Sequence, residues 1–196
     1  RKSCEIAAVS HKEVMRKAKV GMTEFDLETM YLNEFKLNGS REPSYTSIVA
    51  GGSRACILHY VDNNQTINDG DLVLVDAGCE FGLYASDITR TYPINGKFSG
   101  EQKAIYEIVL EAQKIAIRNA ISGVDSNHIH ITALKVLIDG LKELSLLKGD
   151  TDGIIENGSY RHLFMHRTGH WLGLDVHDVG AYRLGDYEVL LKNGMI

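Results

Sequence analysis

The chain has 196 residues, enough for one large domain or two small ones with a substantial core. Apolar residues make up 44% and charged residues 24%, and 21 basic against 26 acidic side chains leave a formal net charge of −5. A mildly acidic chain without a Lys/Arg run has no electrostatic footprint for nucleic acid or an anionic membrane, and no apolar run approaches the ~18 residues of a spanning helix. Neither nucleic acid nor membrane is therefore expected as a partner.

Ser3 to Lys19 reads as an amphipathic helix with Ile6, Val9, Val14 and Ala18 on its apolar side, stopped by Gly21. Arg1 falls inside that pattern and is not Met, so the chain is expected to be a piece of a longer protein. Thr23 caps a second helix to about Leu37, with Phe25, Leu27, Met30, Tyr31 and Phe35 on its apolar side and Gly39 at its end. Tyr45 to Tyr60 is β-prone around Gly51-Gly52, which predicts two strands joined by a turn. Leu72–Asp76 and Tyr84–Tyr92 predict two more. Ser99 caps a long helix to about Ala120, a further helix spans Asn127 to Leu147, and the Gly-punctuated stretch from His162 to His177 is expected to be extended.

Cys4, Cys56 and Cys79 are odd in number, scattered and never in a CxxC spacing, against a disulfide framework or structural zinc site. They read as reduced thiols of a cytoplasmic protein. Cys79 follows Asp76 closely, but no His/Asp arrangement specific to a thiol nucleophile accompanies it.

The two halves repeat a pattern of helix, Gly-X-capping residue, helix and Gly, with Gly21-Met22-Thr23 in one half and Gly123-Val124-Asp125 in the other. Each half then has an extended segment ending in a histidine, His59 or His177. Asp69-Gly70-Asp71-Leu72 follows in the first and Asn193-Gly194-Met195-Ile196 in the second. This predicts a pseudo-twofold α/β domain with halves of about residues 1–98 and 99–196, and places the second half's counterpart of Asp76 four residues past Ile196.

Leu72 to Thr91 reads as a hairpin. A loop at Phe81-Gly82 would set Asp76 directly opposite Asp87, with Cβ atoms about 5 Å apart. Two carboxylates that close repel, and a pair of divalent ions ~3.5–4 Å apart suits the spacing. The alternative is a turn aspartate or one paired with Arg90, although Arg90 would point to the other face of its strand. The pattern alone leaves both readings open.

Four of the eight histidines, His162, His166, His170 and His177, cluster near the end. His166 and His170 have the spacing of a helical zinc pair, but Gly169 and Gly173 disfavour a helix. On an extended chain the two would still share a face. Asp175 and Asp178 are candidate partners for these imidazoles. His11, His128, His130 and His162 are expected to be structural or solvated.

Several segments together resemble one family. His59-Tyr60, Asp71-Leu-Val-Leu-Val-Asp76-Ala-Gly78 and Ala85-Ser-Asp87-Ile-Thr-Arg-Thr-Tyr-Pro93 are similar to the first metal-binding half of the pita-bread metallopeptidases. His166-Arg-Thr-Gly-His170-Trp-Leu-Gly-Leu-Asp-Val-His177-Asp178 is similar to their second-half signature. The order and separation of the motifs match, and Trp171 with the run Gly173 to Asp178 looks most like the aminopeptidase P branch, with prolidase as near neighbour.

The resemblance implies an α/β (α+β) pita-bread fold: duplicated halves, a curved antiparallel sheet covered by helices, and here a catalytic domain incomplete at its C-terminus without the family's N-terminal domain. It implies Asp76, Asp87 and His170 as metal ligands, Asp87 bridging, with two glutamates beyond this chain completing the set. The cofactor implied is two divalent metal ions, manganese foremost, with cobalt, iron or zinc as substitutes. The activity implied is hydrolysis of the bond between an N-terminal residue and a following proline, by a hydroxide that the metals make available. His59, His166 and His177 match the family's non-ligand histidines. His177 is the candidate for stabilising the tetrahedral intermediate, His59 and His166 for orienting substrate or moving protons. The partner implied is a peptide with proline second, and the full-length protein is expected to be a homo-oligomer. Two other functions stay in view, an Xaa-Pro dipeptidase and a metal-free binding module. Members of the latter kind lose ligand residues, which are present here.

Overall fold

The computed structural model describes residues 1–195, in two compact units: Arg1–Ser99 with Trp171–Val179, and Gly100–His170 with the chain from Gly180 onward. In the first unit, helices α1 (Lys2–Lys17) and α2 (Glu24–Leu37) precede an antiparallel sheet of β1 (Ile48–Gly51), β2 (Leu72–Asp76) and β3 (Thr89–Pro93), in the order β1-β2-β3. Alternation along β2 explains its placement. Val73 and Val75 are fully buried, while Leu72, Leu74 and Asp76 are half-buried. The Val73–Val75 face, continued by Ala77 and Cys79, packs on Ile6, Ala7 and Val14 of α1 and on Leu27, Tyr31 and Phe35 of α2. The opposite face carries Asp76. Phe25 is exposed rather than part of the apolar side, because at 100° per residue it lies about 200° around the helix from Leu27.

The predicted second strand before Tyr60 does not form. A 3-10 helix, Gly52–Cys56, follows β1, and the chain to Gln65 is irregular. Two side chains take over the bonds that such a strand would have made. Asn63, buried at φ 43°, accepts from Val49 N at 2.9 Å and donates to Ser47 O at 2.8 Å, satisfying the free edge of β1. Glu24 collects donors from Gly51, Arg54, Tyr60 and Gln65.

The second unit pairs α3 (Gly100–Asn119) with α4 (Ser126–Glu143) through Ala112, Ala116, Ala133 and Leu137. A Cβ at Gly140 would stand 2.7 Å from Ile108, so only glycine permits this approach. Two elements were not foreseen: α5 (Thr151–Asn157), capped by Asp150, and a short hairpin of β4 (Arg183–Leu184) and β5 (Tyr187–Glu188). The stretch expected to be extended, His162 to His177, is instead irregular loop that follows a 3-10 turn, Ser159–His162. His166 and His170 therefore lie on irregular chain, where strand parity does not place them on one face. Among the described residues no helix is long and apolar enough to cross a membrane.

One pattern of backbone hydrogen bonds occurs in both units. Gly21 N donates to Ile67 O and Ile67 N to Met22 O; in the second unit Gly123 N donates to Leu191 O and Leu191 N to Val124 O. Thr23 accepts from Asp26 N to cap α2, as Asp125 accepts from His128 N to cap α4. Asp71 N bonds Asn68 O, as Met195 N bonds Lys192 O. Ile196 and the expected counterpart of Asp76 past it lie outside the described residues.

His11, expected to be structural or solvated, is buried in the first core. Its Nε2 donates to Ala77 O at 2.9 Å, and its ring meets Tyr31 edge-on with centroids 4.8 Å apart. Burial holds its pKa below the ordinary 6.5, Arg90 adds to the lowering, and the Ala77 bond opposes it. The folded state thus binds fewer protons than the unfolded chain, and stability falls as pH drops below the unfolded value. We predict that His11→Gln, which can still donate to Ala77 but does not titrate, flattens the change in thermal midpoint between about pH 7.5 and about pH 5.5. An unchanged pH slope in a calorimetric series would refute this.

Candidate metal centre

The β2–β3 hairpin places its carboxylates differently from the expected register. Asp76 pairs with Thr89 rather than with Asp87. The ladder runs on in step through Ala77 N to Ile88 O and the Phe81–Tyr84 bridge, so the two-residue loop is Gly82-Leu83. Both loop residues have positive φ, 60° and 71°, as a type I′ turn requires. A loop one residue later shifts the register by two, which keeps every side chain on its face. Asp87 therefore becomes a diagonal neighbour of Asp76, opposite Gly78. Arg90 pairs with Val75 on the other face and donates to Thr89 O, as its parity requires.

Gly78 is what allows the two carboxylates to meet through a third group. A Cβ there would lie 1.8 Å from Ser86 O and 3.1 Å from Tyr45 Cε1. The Tyr45 ring uses that room, and its hydroxyl reaches both acids, at 2.5 Å from Asp76 Oδ1 and 3.1 Å from Asp87 Oδ1. The loop bearing Tyr45 is tied to the hairpin by Ser44 N to Gly78 O at 3.0 Å, Glu80 N to Glu42 O at 3.0 Å and Ser86 N to Ser44 Oγ at 3.0 Å. Ser86 Oγ in turn accepts from Cys79 N and donates to Cys79 O, which fixes the hairpin beside Asp87.

Burial raises the Asp76 carboxyl above its ordinary range; the Tyr45 bond opposes this and the charge of Asp87 adds to it. Burial and the charge of Asp76 push the Tyr45 hydroxyl far up, so it stays protonated and donates. Neutral hydroxyl donors offset the mutual repulsion of the two half-buried carboxylates only in part, since Asp76 stays raised. A divalent cation would relieve it, and an all-oxygen donor pair suits a hard or borderline ion. On this observation the pair fits as part of the implied dinuclear centre.

The remaining predicted residues are placed as follows. His59 belongs to the first unit, exposed, in a turn at φ 53° between the 3-10 helix and buried Tyr60. His177 belongs to the same unit, on the compact loop Trp171–Val179, which Gly173 O joins to the hairpin by accepting from Ala85 N at 2.8 Å. Asp178, a candidate partner for an imidazole, closes that loop, accepting from Leu174 N and Val179 N. A Cβ on Gly173 would meet Asp178 Oδ2 at 1.9 Å. His166 and His170 belong to the second unit. Among the described residues no three His, Cys, Asp or Glu side chains gather into a metal-holding group.

Tyr45 and Glu24 were not foreseen from the sequence; His130 was expected to be structural or solvated, and is structural. His130, on the buried face of α4, pairs its Nδ1 with Thr168 Oγ1 at 2.9 Å and stacks on Phe164, anchoring the segment between His166 and His170. Its place on the helix beside Ala133, Leu134 and Leu137 was the available signal.

A family model described as metallopeptidase family M24 matches residues 1–196. The Xaa-Pro aminopeptidase of Haemophilus influenzae is 50% identical over 192 residues, 98% of this chain and 44% of that protein. The Xaa-Pro aminopeptidase of Escherichia coli is 45% identical over 196 residues, 100% of this chain and 44% of that protein. The solved structure of Pseudomonas aeruginosa aminopeptidase PepP superposes with a TM-score of 0.97 at 49% identity, over 99% of this chain and 44% of its own. A zinc-substituted E. coli aminopeptidase P with product gives a TM-score of 0.94 at 46% identity, over 98% of this chain and 44% of its own. The chain thus spans less than half the length of the relatives it matches, and its mixed helix-and-sheet fold is the pita-bread type of aminopeptidase P.

Gly78→Ala should force the hairpin and the Tyr45 ring apart, costing about 1–3 kcal/mol as other overpacked sites do. Gly100→Ala, where a Cβ meets nothing within 4 Å, is the control. Equal denaturant midpoints for the two variants would show that Gly78 does not hold the site.

Proposed function

The chain belongs to metallopeptidase family M24, and on that premise we propose that the protein carrying it is a metal-dependent Xaa-Pro aminopeptidase, releasing the N-terminal residue of peptides with proline second. The observation that carries the reading is the Asp76–Tyr45–Asp87 constellation, two half-buried acids held at one hydroxyl, whose like charges a cation would stabilise. The similarity to two bacterial Xaa-Pro aminopeptidases over at least 98% of this chain supports it.

In this reading Asp76, Asp87 and His170 hold two divalent ions, manganese foremost. Ions so bound lower the pKa of a water and polarise the scissile carbonyl. Tyr45 keeps the two carboxylates aligned and, being protonated, competes with neither for a proton. His177 lies on a loop hydrogen-bonded to the Asp87 hairpin and serves to stabilise negative charge developing on the carbonyl oxygen. His59 and His166, both exposed, orient the peptide and move protons between water and the departing amine.

The test is hydrolysis by the natural protein of a tripeptide and a dipeptide, each with proline second. Release of the first residue from the tripeptide, lost on chelation and regained with manganese, is expected. Cleavage of the dipeptide alone would replace this reading with a dipeptidase. Asp87→Asn should lower kcat/KM by about 100-fold or more, beyond the 10–100-fold typical of a residue that only supports a ligand.

A further inference from the structure

Glu24 is the first residue of α2 and is fully buried, an unusual place for a carboxylate. Its two oxygens are saturated. Oε1 accepts from Gly51 N at 2.8 Å and Arg54 Nε at 2.6 Å; Oε2 accepts from Tyr60 OH at 2.7 Å and Gln65 N at 3.0 Å. Burial works against its charge, yet these four donors together hold its carboxyl below the ordinary carboxylate range.

The donors flank one residue of interest. Gly51 and Arg54 precede His59, whereas Tyr60 and Gln65 follow it, so one buried anion draws both sides of the 51–65 segment together. Between them His59 adopts a left-handed φ of 53°, a conformation uncommon for a residue other than glycine. Asn63 adds a second tie to the edge of β1.

The same backbone latch forms in the second unit without such a carboxylate. The Gly-X-cap latch recurs in the second unit, with Asp125 standing for Thr23, but the next residue there is Ser126. Glu24 serves something particular to the first half.

We propose that Glu24 is a positioning residue for His59, its carboxylate clamping the loop so that the imidazole is presented to substrate in one fixed place. This rests on the reading of His59 as a substrate-site group. Glu24→Gln keeps the shape but sets an amide N–H₂ against two of the donors, and the loop should loosen.

The test is a double-mutant cycle in the natural protein, with kcat/KM measured on a tripeptide bearing proline second. Glu24→Gln is expected to lose about 10- to 100-fold, the scale of a misplaced active-site group. In a His59→Ala background the same change should have almost no further effect, because the group it positions is gone. Losses that multiply would overturn the proposal, since Glu24 would then act independently of His59. Should Glu24→Gln fold poorly, Tyr60→Phe removes one donor and keeps the ring. It should give a smaller loss that also vanishes with His59→Ala, and a Tyr60→Phe loss that persists would overturn the clamp. Limited proteolysis supplies a second readout: new cleavage confined to residues 57–63 of Glu24→Gln supports the clamp, and cleavage spread along the chain counts against it. Full activity of His59→Ala would instead remove the reading of His59 itself, a result distinct from a cycle with independent losses.

Discussion

A single phenolic hydrogen stands between two carboxylates in the first unit, and most of the surrounding structure serves to keep it there. Tyr45 OH can satisfy one acid well and the other in part, at 2.5 and 3.1 Å. The Asp76–Asp87 repulsion is thereby contained but not cancelled, with Asp76 raised above its ordinary range. Holding such an arrangement takes a rigid frame. The positive-φ turn at Gly82-Leu83 sets the register, Gly78 makes room for the ring, and Ser44 and Ser86 lock the ring's loop to the hairpin. Behind it all the odd-numbered face of β2 is buried against two helices, so the even-numbered face must carry Asp76.

Much of this was legible in the sequence, and what was not has identifiable causes. Helices announced themselves through caps and glycines: Thr23 and Asp125 lie where the pattern put the helix starts. The alternation of Leu72 to Asp76 named both the strand and its buried face. The register was missed because Phe81-Gly82 and Gly82-Leu83 are equally plausible loops on paper. The face survived because either choice moves the pairing by an even number. The strand expected before Tyr60 failed for a reason no local propensity contains: its bonds are made by the side chains of Asn63 and Glu24, one of them 36 residues away from the tyrosine it holds. Likewise the histidine-bearing stretch is shaped by Asp178 and by His130 from a distant helix, contacts that periodicity does not encode.

The internal repeat carries a related lesson. Identities between the halves are sparse, yet the same hydrogen bonds join Gly21-Met22 to Ile67 and Gly123-Val124 to Leu191. What persists is the backbone latch and its capping residue, which any polar cap can supply. What diverges is the chemistry attached to it, as Glu24 against Ser126 shows.

Buried and half-buried carboxylates in this chain therefore sort by the donors they receive. Glu24 takes four, two of them backbone N–H groups and one a guanidinium, and its carboxyl is held low although no part of it is exposed. Asp76 has the hydroxyls of Tyr45 and Thr89 and a like charge nearby, and burial together with that charge holds its carboxyl high. Burial works against the charge in both cases and is the foremost influence on each; the donors at Glu24 overcome it and those at Asp76 do not. On the readings proposed above, Glu24 organises the loop of His59, while Asp76 with Asp87 would receive a cation.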